Sequence, residues 1–133
     1  PRDMEIPKSK FKRPDPAKYQ VSLDNGLVAY VAKEHQVPLV SLSAFIKAGK
    51  IDGHKEGAAE ALSEAFLTGP KNMSSTAFKA ALKRMTAEYS VTLHNKWIEI
   101  SLNVPAEDLE EAFELFSATV ISPNITEANI KAA

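Results

Sequence analysis

The stretch Gly57-Ala58-Ala59-Glu60-Ala61-Leu62-Ser63-Glu64-Ala65-Phe66-Leu67-Thr68-Gly69-Pro70 separates a strand-rich beginning from a mixed remainder. Alanine and leucine favour helix and the Gly-Pro pair stops one, so a helix is predicted over 57–68. Upstream, Tyr19, Val21 and Leu23 alternate with polar residues and run into Asp24-Asn25-Gly26. Asn-Gly tolerates the positive φ angles of a tight turn, so the chain reverses there into a second strand over 27–31. Val40, Leu42, Ala44 and Ile46 then mark one face of a third strand, and Gly49 and Gly53 bracket the loop before the helix. Three strands in such close succession predict one antiparallel sheet.

Downstream, Ser75 or Thr76 is the expected cap of a second helix, with Phe78, Ala81, Leu82 and Met85 on its apolar face. Tyr89, Val91 and Leu93 alternate as a fourth strand. The turn His94-Asn95-Lys96 leads to a fifth, marked by Ile98, Ile100 and Leu102. Pro105 suits the first turn of a third helix, where Glu107, Asp108, Glu110 and Glu111 complement the dipole. Leu109, Ala112, Phe113 and Phe116 are its expected core stripe. Ser122-Pro123-Asn124 interrupts the chain, and Thr126 is the expected cap of a final helix. The order of elements is that of an α+β fold, a mainly antiparallel sheet with helices covering one face.

Composition narrows the function classes. With 44% hydrophobic and 25% charged residues the chain can bury a core, and a formal net charge of -1 supplies no field for a nucleic-acid backbone. No cysteine is present, which excludes disulfides, thiolate metal sites and cysteine catalysis. No apolar run is long enough for a membrane span. Residues 1–18 carry Pro1, Pro7, Pro14 and Pro16 among lysines and arginines and are expected to form a linker without regular structure. Residues 19–133 are expected to form one domain. A start at Pro1 without methionine, and an end inside a helical pattern at Asn129-Ile130-Lys131-Ala132-Ala133, suggest a piece of a longer polypeptide.

Several segments together resemble the insulinase (pitrilysin) family of inverted-zincin metallopeptidases. Leu23-Asp24-Asn25-Gly26-Leu27-Val28 is similar to the family's opening strand-turn-strand. Pro38-Leu39-Val40-Ser41-Leu42, leading to Ala48-Gly49, is like the strand before its active-site helix. The run from Gly57 to Gly69 resembles the helix that in active members carries H-x-x-E-H. Thr86-Ala87-Glu88-Tyr89-Ser90, the Pro105 to Leu115 helix and the Ile121-Ser122-Pro123 break fall in the family's order as well. The resemblance implies an insulinase-like metallohydrolase fold, present in part, over residues 19 onward.

In active members the two histidines bind zinc and the glutamate serves as general base on the zinc-bound water. The resemblance places Glu60, Ser63 and Glu64 at those positions, so all three are changed. A serine cannot accept a proton near neutral pH as a carboxylate does, and two carboxylates fall short of a selective zinc site. The resemblance therefore implies no catalytic residue and no metal or other cofactor in this chain, with zinc expected in an active partner domain. A later glutamate that completes the family's metal site is expected beyond Ala133.

Simpler readings compete at each position. Glu56, Glu60 and Glu64 recur every four residues, and a solvated acidic face is preferred to a magnesium or calcium pocket, which needs more oxygens. His35, His54 and His94 all fall in expected loops or turns without a second histidine at ligand spacing. Trp97 reads as core or interface filler, Phe113 and Phe116 as core, and Ser63 as a serine without a neighbouring base. The expected role is a non-catalytic domain that shapes a peptide-binding chamber with an active insulinase-like domain or subunit, in a periplasm by family habit. The alternatives are a structural or assembly subunit, similar to respiratory-complex core proteins, and a hydrolase with relocated chemistry.

Overall fold

The computed structural model describes residues 12–33, 37–50 and 57–126. The chain divides into two compact units, Pro1–Val37 and Pro38–Ala133. In the first, a 3-10 turn over Pro16–Tyr19 precedes strands β1 (Gln20–Ser22) and β2 (Val28–Tyr30). That turn lies partly in the stretch expected to lack regular structure. It forms because Asp15 caps it, its carboxylate accepting from the Ala17 amide at 3.1 Å, and because Pro16 presets φ at its first position. Residues 1–11 of the expected linker lie outside the described residues.

The strands β1 and β2 pair antiparallel with Val21 opposite Ala29. Only Gly26 takes a positive φ in the connection, at 81°, and its amide donates to the Leu23 carbonyl at 2.9 Å. Asn25 thus avoids the left-handed region that a two-residue Asn-Gly turn would demand of it. Asp24-Asn25-Gly26 forms the wider loop in which glycine alone supplies the left-handed residue.

In the second unit β3 (Leu39–Ile46) is followed by α1 (Ala58–Leu67), α2 (Ser75–Arg84), β4 (Glu88–Leu93), β5 (Ile98–Pro105) and α3 (Leu109–Ile121). The strand order is β3-β5-β4, all antiparallel, while the hairpin forms a two-stranded sheet of its own. The expectation of one sheet from the first three strands is corrected here. The physical reason is length and pattern. The strands β3 and β5 each alternate over 8 residues, so pairing them sets Val40, Leu42, Ala44 and Ile46 beside Val104, Leu102, Ile100 and Ile98 on one face. The hairpin strands, of 3 residues each, offer no such match.

The apolar face of this sheet is the core. Ile98, Ile100, Leu102 and Val104 are almost wholly buried beneath Phe66 of α1, Phe78 of α2, Met85, and Ala112, Leu115 and Phe116 of α3. Helices therefore cover one face, as the pattern implied, while Ser41, Ser43 and Asn103 lie exposed on the other.

Three local expectations shift. The cap of α2 is Ser74, whose hydroxyl accepts from the Ala77 amide at 3.2 Å, so the helix begins just after it. Pro105 ends β5, and a 3-10 turn over Ala106–Asp108 precedes α3. The buried residues of α3 are Ala112, Leu115, Phe116 and Thr119, while Phe113 is 55% exposed and Leu109 36%. The core stripe is therefore rotated from the expected one, running through Leu115 and Thr119 in place of Leu109 and Phe113. The final helix expected after Thr126 lies outside the described residues.

The exit from α3 is fixed to the α1–α2 connection. Pro70 and Pro123 form an isolated bridge, the Lys71 amide donates to Ser122 O at 2.9 Å, and the Asn124 amide to Gly69 O at 2.9 Å. No helix among the described residues is long and apolar enough to cross a membrane.

Candidate functional site

The helix α1 begins after Gly57 and turns Ala59, Ala65 and Phe66 into the core, with Leu62 packed at its margin. Its C-terminal carbonyls are well held. The Thr68 hydroxyl donates to Ala65 O at 2.8 Å, and the Phe66 carbonyl accepts from the Gly69 amide at 3.3 Å and from the Tyr89 hydroxyl at 3.0 Å. The remaining face carries Glu60 and Ser63, both half-buried, and Glu64, which is exposed.

These three residues share one helix turn but form no chemical constellation. Ser63 Oγ donates to the Glu60 carbonyl oxygen at 2.9 Å, the usual resting place of a mid-helix serine hydroxyl. Its proton is thus directed into the helix backbone. Glu60 and Glu64, one turn apart, are neighbours of like charge. As zinc ligands they fit poorly, because zinc sites are tetrahedral and draw mainly on imidazole or thiolate, and α1 offers neither. Among the described residues no group of three or more His, Cys, Asp or Glu side chains could hold a metal ion. Glu56, the first member of the acidic stripe, lies outside the described residues, as do His35 and His54.

His94 occupies the turn between β4 and β5, as expected. Its Nε2 lies 3.2 Å from Glu99 Oε2, and its ring stacks, tilted by 34°, on Trp97 at 5.0 Å. Trp97 is 40% exposed and belongs to this turn rather than to the core. From Glu99 the polar contacts continue across the open face of the sheet. Ser101 Oγ donates to Glu99 Oε1 at 3.3 Å, and Ser101 and Ser43 hydroxyls lie 3.2 Å apart. The sequence alone does not signal this chain of groups. Its signal exists only once Ser43 is known to face Ser101 and Phe45 to face Glu99. A surface groove lined by Lys71, Glu114, Ser117 and Ile121 contains none of the three α1 residues.

The family model described as Insulinase (Peptidase family M16) matches residues 28–133. Comparison with curated proteins gave no match. Among solved structures, a peptidase M16 inactive domain from Pseudomonas fluorescens superposes with a TM-score of 0.77 at 18% identity. The match covers 85% of this chain and 28% of that one. A protease from Helicobacter pylori superposes with a TM-score of 0.69 at 23% identity, covering 83% of this chain and 27% of that one. This chain therefore spans little more than a quarter of either structure, and at these identities the likeness establishes the fold.

Proposed function

We propose that this chain, which belongs to the insulinase family (peptidase family M16), is part of a non-catalytic domain that shapes a peptide-binding chamber together with an active, zinc-bearing sibling. In this reading residues 19–133 belong to the domain and 1–18 link it to what precedes. Glu60, Ser63 and Glu64 are the degenerate positions of the family's motif. The zinc, the general base and the hydrolytic step belong to the sibling, and a periplasmic setting suits such a pair.

The observation that carries the reading is the state of α1. Ser63, at the position where a general base would stand, directs its hydroxyl to the Glu60 carbonyl. It neither accepts a proton from water near neutral pH nor has a histidine on the helix to activate it. The fold shared with the Pseudomonas fluorescens inactive domain agrees with a family member that keeps the scaffold without the chemistry.

The test is a comparison of peptide cleavage by the assembled zinc-bearing protein with and without this domain, alongside the zinc content of the isolated domain. Loss of cleavage on removal, with no stoichiometric zinc in the domain, is the expected result. Unchanged cleavage within a stable complex would instead favour a structural or assembly subunit. Stoichiometric zinc and peptide cleavage by the domain alone, both lost in Glu60→Ala/Glu64→Ala, would overturn the non-catalytic reading.

A further inference from the structure

We propose that Asn25 is a site of spontaneous deamidation, restrained by the closed β1–β2 hairpin and released when that hairpin opens. Asn25 and Gly26 are both exposed at the tip of the connection. Gly26 has open space where a side chain would stand, so no side-chain bulk hinders the approach of the Asn25 carboxamide to its backbone.

The reaction needs only water and base. The Gly26 amide nitrogen loses its proton and attacks Cγ of Asn25, forming a new C–N bond and a five-membered succinimide. The side-chain nitrogen leaves as ammonia. Water then opens the ring at either carbonyl, giving an aspartate or an isoaspartate in place of Asn25.

Both reacting groups are held in the folded hairpin. The Gly26 N–H donates to Leu23 O at 2.9 Å, and Asn25 Oδ1 accepts from the Leu27 amide at 3.1 Å. Attack requires the first bond to break so that the nitrogen can deprotonate, and the second so that the carboxamide can rotate. The restraint is weak, because three residue pairs make up the whole two-stranded sheet and such a hairpin is marginal by itself. Local opening of exposed segments of this kind lies at the low end of the free-energy range. The product adds a negative charge beside Asp24. Isoaspartate also lengthens the backbone by one atom, which displaces Leu23 from Leu27 and undoes the register of the strands.

Peptide mapping by mass spectrometry, on the intact parent protein held at mildly acidic and at alkaline pH, tests this. The expected result is amide-to-acid conversion at Asn25, rising with pH, appearing as two chromatographic products, and faster in urea-unfolded than in folded protein. Gly26→Ala is expected to slow the unfolded protein too, a comparison that does not depend on the variant folding. Conversion confined to unfolded protein would overturn native release. Equal rates in folded and unfolded protein would overturn the restraint.

Discussion

The Tyr89 hydroxyl, on β4, donates to the carbonyl oxygen of Phe66 in the last turn of α1 at 3.0 Å. The same ring meets Phe78 of α2 edge-on, with centroids 5.3 Å apart. One side chain thus joins both central helices to the sheet and gives the Phe66 carbonyl a second donor beside the Gly69 amide. Tyr89→Phe keeps the ring and removes the bond, and is expected to cost about 1 kcal/mol in urea unfolding.

The burial of this side chain also sets a pH dependence. Burial holds the Tyr89 hydroxyl well above the ordinary tyrosine range. A group whose pKa is raised on folding contributes stability that is complete below its unfolded pKa, about 10 for tyrosine, and lost as pH rises beyond it. Unfolding free energy should therefore fall above roughly that pH. The fall should be shallower in Tyr89→Phe, and an identical alkaline limb in both proteins would refute the assignment.

Arg84, at the end of α2, and Glu111, in the first turn of α3, form a two-pronged ion pair, one arm of which is 3.0 Å long. The hydrogen bonds from Arg84 hold the Glu111 carboxyl below its usual range. The pair's contribution is present above the unfolded carboxylate pKa and disappears as pH falls through the folded one. Both side chains are solvent-exposed, so the effect is small and screened by salt. Glu111→Gln should lessen the acid-side decline of stability, and raising the salt concentration should narrow the difference between the two proteins.

Thr86 adopts a φ of 50° just after α2, where its amide donates to Lys83 O and the next amide, of Ala87, to Leu82 O. This is the left-handed residue that closes many helices, a place normally given to glycine or asparagine and costly for a β-branched side chain. Thr86→Gly should stabilise the protein by roughly 1 kcal/mol, read as a shift in denaturation midpoint at unchanged slope. A loss of stability would mean that the threonine side chain makes contacts outweighing its backbone strain.

Gly69 presents the opposite case. Its φ is 92°, and a Cβ there would lie 2.5 Å from the Phe78 ring, which is itself buried in the core. Left-handed strain and overpacking combine in Gly69→Ala, for an expected cost on the order of 3 kcal/mol. A near-neutral result would show that the ring and the α1–α2 connection yield together.

These positions also mark where the sequence was legible. Gly69-Pro70 announced the end of α1, because glycine admits the left-handed conformation and proline cannot continue a helix, whatever surrounds them. Thr86 announced nothing, since threonine is not a residue that usually takes the left-handed place closing a helix. Alternation identified β3 and β5 as strands but not as partners, because their matching needs the lengths and faces of both at once. Phe113 looked like core because helical spacing fixes relative phase only, and packing against the sheet decides which face is buried. At the candidate site the residue types were readable, and they already ruled out an imidazole pair on α1. The direction of the Ser63 hydroxyl and the polar run from His94 to Ser43 arise only in the folded chain, where the strand register brings distant residues together.

The acidic face of α1 allows the last prediction, and it separates use from mere exposure. Glu64 lies near the C-terminal end of the helix, where a negative charge opposes the dipole, and one turn from Glu60, where like charges repel. Glu64→Lys reverses both effects and should stabilise the protein by roughly 0.5 kcal/mol. Ser63→Ala only removes a hydroxyl already bonded to its own helix. If this face is solvated and without chemistry, both variants should leave peptide cleavage by the assembled parent protein unchanged while Glu64→Lys raises its unfolding midpoint. A tenfold loss of cleavage in Ser63→Ala, about 1.4 kcal/mol of transition-state stabilisation, would show instead that α1 takes part in the reaction.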